Sequence, residues 1–252
     1  MLGRTRYLAD LTEVARTGSG SLRCEDCGRD YPVISGIPVL VPEQFRLQIN
    51  LPEGAVDAEH SEYHMEQTPR VAELIRRNSG RLSLDVGCGK GTYSDCYSGD
   101  LVLADANFRF VEEAVDDCGA EKACLGVVAD IRCIPFPDDV FDFVLASSVI
   151  EHVPTPQLEL VWSGLKRVAT VVQVDVPHES GLIRIVRAFL TSMRVYEREA
   201  YEDEVLRHHT DFSPANLEGE GFTVSGCIGW SSRKKIPVPL LWSVYDLAVR
   251  RL

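Results

Sequence analysis

Glycines and carboxylates stand where successive apolar segments of this sequence end. A short apolar run ends in Asp85, and Gly87, Gly89 and Gly91 follow at alternate positions. Glycine is needed where the backbone takes a positive φ or where a ligand approaches the main chain closely. A buried acid just before such a turn suits a ligand that carries an ammonium group and would repel a pyrophosphate. The pattern predicts a strand, a tight turn and a helix N-terminus with free N–H groups.

The glycine spacing distinguishes between two kinds of nucleotide site. Dinucleotide-binding folds use G-x-G-x-x-G, which seats a pyrophosphate on a helix N-terminus. This chain has G-x-G-x-G with an acid before it. An ordinary turn of an α/β protein is the alternative, because a glycine-rich turn alone has low specificity. The residues that follow must decide between these interpretations.

Two further acids end the next predicted strands. Asp105 follows the apolar run 101–104 and lies 20 residues after Asp85. An acid at this place can accept both hydroxyl groups of a ribose. Asp130 follows the apolar run 126–129 and opens the segment DIRCIPFPDDVFD. Either acid alone could be a plain strand-end residue.

The elements that position these residues alternate between strand and helix. The apolar patterns predict strands near 82–85, 101–104, 126–129, 141–146, 170–176 and 222–230, and helices around 71–75, 109–118 and 157–166. Such alternation predicts an α/β fold with a doubly wound sheet.

In their order and spacing, these motifs resemble those of the class I S-adenosylmethionine-dependent methyltransferases of type 11. Residues 84–91 resemble L-D-x-G-C-G-x-G, and residues 130–142 resemble D-x-x-x-L-P-F-x-D-x-x-F-D. Glu151 and His152 match the E-H pair that follows. The resemblance implies a Rossmann-like sheet of seven strands, S-adenosyl-L-methionine as cofactor, and methyl transfer as the reaction.

The resemblance also implies which residues contact the cofactor. The carboxylate of Asp105 would bind the ribose, Asp130 would accept from the adenine amino group, and Ile131 would pack on the ring. The full predicted set is Asp85, Gly87, Cys88, Gly89, Gly91, Asp105, Ala106, Asp130, Ile131 and Ser147.

Methyl transfer from a sulfonium is an in-line displacement, for which the protein mainly supplies proximity and alignment. A base is needed only if the nucleophile arrives protonated. The candidate bases are His152, His178, His208 and His209, each of which could equally be a surface or structural histidine. The chain has neither an N-P-P-Y segment, typical of nitrogen acceptors, nor a P-C pair, typical of pyrimidine carbon. An oxygen acceptor is therefore favoured.

Residues 1–50 differ in composition from the rest. Cys24 and Cys27 form one C-x-x-C knuckle before a Y-P-V-x-x-G-I-P-V-L run, which resembles the second half of a small zinc ribbon. A structural zinc site needs four ligands, and Asp10 and Glu13 stand where the first knuckle belongs. The segment is therefore predicted to be a degenerate ribbon without metal. A pair of buried thiols in a hairpin is the alternative for the two cysteines.

The methyltransferase domain is predicted to cover residues 51–252. Within it, residues 178–212 have an apolar helical face and are expected to form a substrate-side insert. The tail 236–252 is apolar with a basic end. It is predicted to pack over the substrate pocket or to lie on a membrane surface.

The net charge of −12 disfavours a nucleic-acid partner, because phosphate binding needs clustered Lys and Arg. Only five of the 26 basic residues are lysine, a composition that would also suit a salt-adapted or high-GC organism. No run approaches the ~20 apolar residues of a membrane span. A cytoplasmic location is expected, with the eight cysteines as thiols or ligands rather than disulfides.

Three functional classes follow from these observations. The favoured one is an O-methyltransferase acting on a small molecule, lipid or glycan. The others are an RNA methyltransferase with an N-terminal ribbon and a non-catalytic module that binds the cofactor. The sequence predicts neither the acceptor nor the oligomeric state.

Overall fold

The computed structural model of the protein describes residues 19–24, 28–42, 62–119, 121–178, 223–230 and 242–250. The strands are β1 (Ser19–Arg23), β2 (Asp30–Ile34), β3 (Ile37–Pro38), β4 (Leu82–Val86), β5 (Asp100–Asp105), β6 (Cys124–Val128), β7 (Phe141–Ser147), β8 (Ala169–His178), β9 (Thr223–Trp230) and β10 (Trp242–Arg250). The helices in these ranges are α1 (Glu62–Asn78), α2 (Phe108–Asp116) and α3 (Leu158–Val168). None of them is long and apolar enough to cross a membrane.

The larger sheet has the strand order β6-β5-β4-β7-β8-β10-β9. Strands β4 to β8 are parallel, while β10 is antiparallel to both β8 and β9. The chain first runs outward from β4 to β6 and then returns to place β7 on the other side of β4. This reversal creates the crevice in which open α/β sheets bind ligands. The prediction of a Rossmann-like, seven-stranded doubly wound sheet is confirmed.

Apolar side chains cover both faces of the parallel strands, which explains why these strands are near-continuous apolar runs. On one face, Val71 and Ile75 of α1 join a core cluster with Leu103 of β5. On the other, Leu165 of α3 joins a cluster with Leu84 of β4. The carboxyl ends of β4 and β5 are therefore held between two packed helical layers.

The helix predicted directly after the glycine turn is not formed. Residues 89–93 make turns, and only the single 3-10 turn Ser94–Cys96 follows. Ser98 and Gly99 come directly before β5 and leave no room for a longer helix. The predicted helix N-terminus is consequently not part of the described site.

The prediction for the C-terminal tail is wrong for residues 242–250. These residues form β10, which is hydrogen-bonded on both sides, with Asp246 opposite Asp175 of β8 and Gly226 of β9. A strand inside a sheet and a tail that lies on a surface are both apolar in composition. Composition alone therefore could not identify residues 242–250 as a strand. Residues 242–250 are therefore a strand of the sheet rather than a separate cover, while residues 236–241 lie outside the described residues and contact with a membrane stays a prediction.

Removing residues 242–252 is expected to prevent stable folding rather than only to open a pocket. The truncation leaves β9 without its neighbour and exposes the edge of β8, and the loss should be a large part of the ~5–15 kcal/mol that stabilises a typical domain. Circular dichroism and urea denaturation would measure it. Removing Arg251 and Leu252 alone, which follow β10, is the matched control. A truncated protein that unfolds cooperatively like the full chain would contradict the prediction.

The N-terminal strands β1, β2 and β3 form a separate antiparallel sheet. Directly after it, the N–H of Leu40 donates to the carbonyl of Val128, 2.8 Å away, so the chain adds to the outer edge of β6. Val41 packs in a cluster with Val111 and Val128. This segment is attached to the larger sheet through its edge strand.

The predicted division at residue 50 and the metal-free ribbon stay predictions. Cys24 is half-buried, whereas Asp10, Glu13 and Cys27 lie outside the described residues. Within the described ranges, no three His, Cys, Asp or Glu side chains are grouped as metal ligands.

The prediction that the cysteines are thiols or ligands rather than disulfides is wrong for one pair. Cys118, just after α2, forms a disulfide with Cys124, the first residue of β6. Among the other described cysteines, Cys88 is a buried free thiol, and Cys96 and Cys133 are half-buried free thiols. The spacing of Cys118 and Cys124 gives no sign of the pairing, because it depends on how α2 returns to the sheet.

Candidate functional site

The turn after β4 is built on three glycines with positive φ. The φ angles are +75° at Gly87, +52° at Gly89 and +80° at Gly91. The N–H groups of Gly87 and Cys88 both donate to the carbonyl of Ala104, at 2.7 and 3.1 Å. The turn is thereby folded against the end of β5.

The three glycines are required for different physical reasons. A Cβ on Gly87 would lie 2.4 Å from Cγ2 of Val149, so this glycine allows the loop after β7 to approach the turn. A Cβ on Gly91 would lie 3.0 Å from the Cβ of Ala114 in α2. A Cβ on Gly89 would meet nothing within 4 Å. Gly89 is therefore the point where bare main chain faces space that a ligand could occupy.

Asp105 ties the end of β5 to this turn. Its Oδ2 accepts from the N–H of Gly89 at 3.1 Å, and its Oδ1 accepts from the N–H of Asn107 at 2.8 Å. Burial raises the pKa of Asp105, while hydrogen bonds from the backbone of Asn107, Gly89 and Ala106 oppose the rise. An ionised carboxylate offers about four acceptor positions, so acceptor capacity remains for hydroxyl groups of a ligand.

Asp85 lies inside β4 and is only 2% exposed. Burial raises the pKa of its carboxyl from 3.8 to about 7, the hydroxyl of Tyr97 lowers it, and the charge of Asp105 raises it further. Oδ2 of Asp85 makes no hydrogen bond of good geometry with the described residues. A buried acid in this state gains from a nearby cation.

Asp130 is occupied by an internal ion pair. The backbone N–H and the Nε of Arg132 both donate to its Oδ1 at 2.8 Å, and a second guanidinium nitrogen of Arg132 bonds Oδ2. The remaining terminal nitrogen of Arg132 donates to Oε1 of Gln157 at 2.8 Å. Both charged side chains are 7% exposed. About one acceptor position of the carboxylate is left for an adenine amino group.

The predicted cofactor residues are brought together at the carboxyl edge of the sheet. Asp85, Gly87, Cys88, Gly89 and Gly91 lie in β4 and its turn, Asp105 and Ala106 end β5, Asp130 and Ile131 follow β6, and Ser147 ends β7. Ile131 is buried. Their contacts with a cofactor stay a prediction.

Two of the four candidate bases lie at the same edge. His152 is half-buried in the 3-10 turn Ile150–His152 after β7, and His178 is the last residue of β8. His208 and His209 lie outside the described residues. The role of each histidine stays a prediction.

Sequence reasoning missed three residues that shape the site. Arg132 neutralises Asp130, Tyr97 neighbours Asp85, and the ammonium of Lys122 donates to the carbonyls of Ser94 and Tyr97. Arg132 had a local signal, because Asp130 accepts from its N–H two residues on, as capping aspartates commonly do. Tyr97 and Lys122 act through contacts distant in sequence, which no local pattern reveals.

Comparisons with known proteins agree with this geometry. A family model described as "Methyltransferase domain" matches residues 84–172. An uncharacterized methyltransferase of Schizosaccharomyces pombe is 26% identical over 194 residues, covering 70% of this chain and 65% of that protein. An uncharacterized methyltransferase of Mycobacterium leprae is 35% identical over 85 residues, covering 31% of this chain and 29% of that protein. The chain thus spans less than two thirds of the length of either relative.

A solved structure shares the fold. Magnesium protoporphyrin IX methyltransferase from Synechocystis, with bound S-adenosylhomocysteine, superimposes with a TM-score of 0.53 at 16% identity. The match covers 82% of this chain and 94% of that one. At this identity the likeness establishes the fold alone.

Proposed function

We propose that this protein transfers the methyl group of S-adenosylmethionine to an acceptor, since residues 84–172 match the model of a methyltransferase domain. The observation that carries the proposal is the convergence of Asp85, Gly89 and Asp105 at the switch point of the sheet. A carboxylate for an ammonium group, bare main chain and a carboxylate for ribose hydroxyls lie there together. This set matches the ammonium group and the ribose hydroxyls of a nucleoside that carries an amino-acid chain.

The residues present fit the cofactor. The open space over Gly89 permits close approach to the main chain. Asp105 keeps acceptor capacity for ribose hydroxyls, and Asp85 is a buried acid that gains from a cation. When bound, the cofactor supplies an electrophilic sulfonium methyl. The contribution of the chain is to orient it, hold its charged end and exclude water, which is how positioning lowers the barrier of a displacement.

We infer that the acceptor is an oxygen of a small molecule, lipid or glycan. The net charge of −12 supports an acceptor other than a nucleic acid, because a phosphate-rich partner would be repelled, and the absence of N-P-P-Y and P-C patterns supports oxygen as the accepting atom. An oxygen acceptor that arrives protonated needs a base, and His152 lies at the edge of the sheet where the cofactor is proposed to bind. In the proposed step, His152 removes the proton from the acceptor oxygen as that oxygen attacks the methyl group.

Calorimetry with S-adenosylhomocysteine is expected to show one site of micromolar-range affinity, with no heat from a nicotinamide dinucleotide. Asp105→Ala should weaken binding by about 1–3 kcal/mol, because it leaves hydroxyl groups of the ligand unpaired. Asp116→Ala, at an exposed position on α2, is the control. Dinucleotide binding in place of S-adenosylhomocysteine would overturn the cofactor proposal.

A transfer assay with radiolabelled S-adenosylmethionine would test the acceptor. The protein would be offered a small-molecule extract, a lipid extract and total RNA separately, with His152→Ala compared with wild type. Label in the small-molecule or lipid fraction is expected. Label in RNA that falls steeply with added salt, as counterion release requires, would favour an RNA methyltransferase instead. Cofactor binding without transfer to any fraction would favour the non-catalytic alternative.

A further inference from the structure

Two buried polar atoms that lack good hydrogen bonds lie next to each other under the cofactor turn. They are Oδ2 of Asp85 and the hydroxyl oxygen of Tyr97, in residues that are 2% and 4% exposed and whose side chains interact with each other. The hydroxyl favours the ionised carboxyl and thereby lowers the pKa of Asp85. Buried polar groups are rarely left unsatisfied without a reason. Here each is the other's available partner.

The backbone around Tyr97 is held by a residue distant in sequence. The ammonium of Lys122 donates to the carbonyl of Tyr97 at 3.1 Å and also to the carbonyl of Ser94. The ring of Tyr97 lies 6.2 Å from that of Phe143 in β7 and belongs to the cluster formed by Val71 and Ile75 of α1. The hydroxyl is thus fixed on the side of β4 to which Asp85 points.

We propose that Tyr97 is a positioning residue that keeps Asp85 ionised, and so ready to receive the ammonium group of the ligand. This inference rests on the proposed function, because it assigns the ammonium group to Asp85. Tyr97 need not touch the ligand. Its hydroxyl favours the ionised carboxylate and replaces part of the hydration that burial removes.

The other charged and titratable groups around Asp85 are the same residues in all of the variants compared below. Asp105 ends the neighbouring strand, and Cys88 lies in the turn. Cys96 lies in the 3-10 turn and is itself influenced by Arg76 of α1, Asp95 and Lys122. Burial raises the pKa values of the Cys88 and Cys96 thiols and of the Tyr97 phenol, so all three stay neutral below pH 8.

The test is the affinity of S-adenosylhomocysteine between pH 5.5 and pH 8 for wild type and Tyr97→Phe. Binding to wild type should weaken as the pH falls through about 7, where Asp85 takes up a proton. In Tyr97→Phe the acid limb, that is the pH range in which binding weakens as Asp85 takes up a proton, should move up by about one pH unit. This is equivalent to a tenfold change in the ionisation constant of Asp85. The affinity ratio between the two proteins should then be about tenfold at pH 6 and about twofold at pH 8.

Tyr93→Phe is the matched control, because it removes the hydroxyl of another buried tyrosine near the turn that is not among the groups shifting the pKa of Asp85. Its acid limb should coincide with that of wild type. A Tyr97→Phe affinity reduced equally at every pH would show a merely structural role and overturn the inference. So would an acid limb that does not move. Absence of binding to wild type at every pH would instead contradict the proposed function itself.

Discussion

Asp85→Asn is expected to stabilise the free protein by about 2–4 kcal/mol at pH 8 while weakening S-adenosylhomocysteine binding at least tenfold. The folded-state pKa of Asp85 is about 7, against 3.8 for the ordinary carboxyl. Each pKa unit corresponds to about 1.4 kcal/mol, so ionising this buried acid costs roughly 4 kcal/mol at most. Asparagine avoids that cost but leaves its own amide imperfectly paired, which lowers the gain. It also removes the charge proposed to hold the ammonium group.

The direction of the Asp85 pKa shift determines how the stability difference between Asp85→Asn and wild type depends on pH. Because the folded-state pKa is raised, the folded protein binds the proton more tightly than the unfolded chain, and stability falls as the pH rises from about 4 to 7. Below pH 4 the carboxyl is protonated in both states, so the difference between Asp85→Asn and wild type should largely vanish there. Urea denaturation at pH 4 and pH 8 would measure this.

An exposed aspartate provides the comparison. Asp116→Asn lies on the solvent side of α2 and should change stability by less than about 0.5 kcal/mol at both pH values. If Asp85→Asn were destabilising at pH 8, the burial cost assigned to Asp85 would be wrong. If it were stabilising but bound the ligand as wild type does, the ammonium group would have to be bound elsewhere.

Arg132→Leu is expected to cost about 3–5 kcal/mol, because it leaves the Asp130 carboxylate buried and uncompensated. The pair is 7% exposed on both sides, and Gln157 also loses its donor. The double variant Asp130→Asn/Arg132→Leu should recover much of the loss, since a neutral replacement of a buried ion pair is often tolerated. Denaturant titration of the three proteins measures the coupling.

The exposed pair Arg77–Glu73 of α1 is the control for charge loss alone, with side chains 69% and 58% exposed. Arg77→Leu should cost less than about 1 kcal/mol. A cost for Arg132→Leu as small as this would mean that solvent reaches Asp130. In that event the carboxylate would be more available to an adenine amino group than the ion pair suggests.

Most of the sheet was predictable because its strands are buried on both faces. Leu84, Val102 and Val144 lie in apolar runs that end at the site, so composition and length identify the strands and place their carboxyl ends. That the proposed cofactor residues meet at one edge of the sheet could be predicted for the same reason, while their contacts with a cofactor stay a prediction. They are attached to strand ends, and the order of the strands decides which ends meet.

What could not be predicted depends on contacts between residues distant in sequence. The strand, turn and helix pattern led to the prediction of a helix after the turn, whereas the chain there makes turns and a single 3-10 turn, and Gly91 lets α2 approach closely. In the sequence, Tyr97 cannot be told apart from an aromatic residue of the core. Its position next to Asp85 follows only from the packing of the turn against β7. β10 was missed because it is a strand through its hydrogen bonds with β8 and β9, whose positions beside it are not visible in its own sequence.

The position of β10 also bears on the order in which the sheet is completed during synthesis. β8 leaves the ribosome with an unpaired edge, and β9 follows it without pairing to it, because the sheet places β10 between them. The nascent chain must therefore keep the edge of β8 open until residue 250 has emerged. The parallel half that contains the glycine turn has all its neighbours much earlier. Exposed strand edges invite association with other chains, so the edge of β8 is open to such association in the interval between the synthesis of β8 and that of β10.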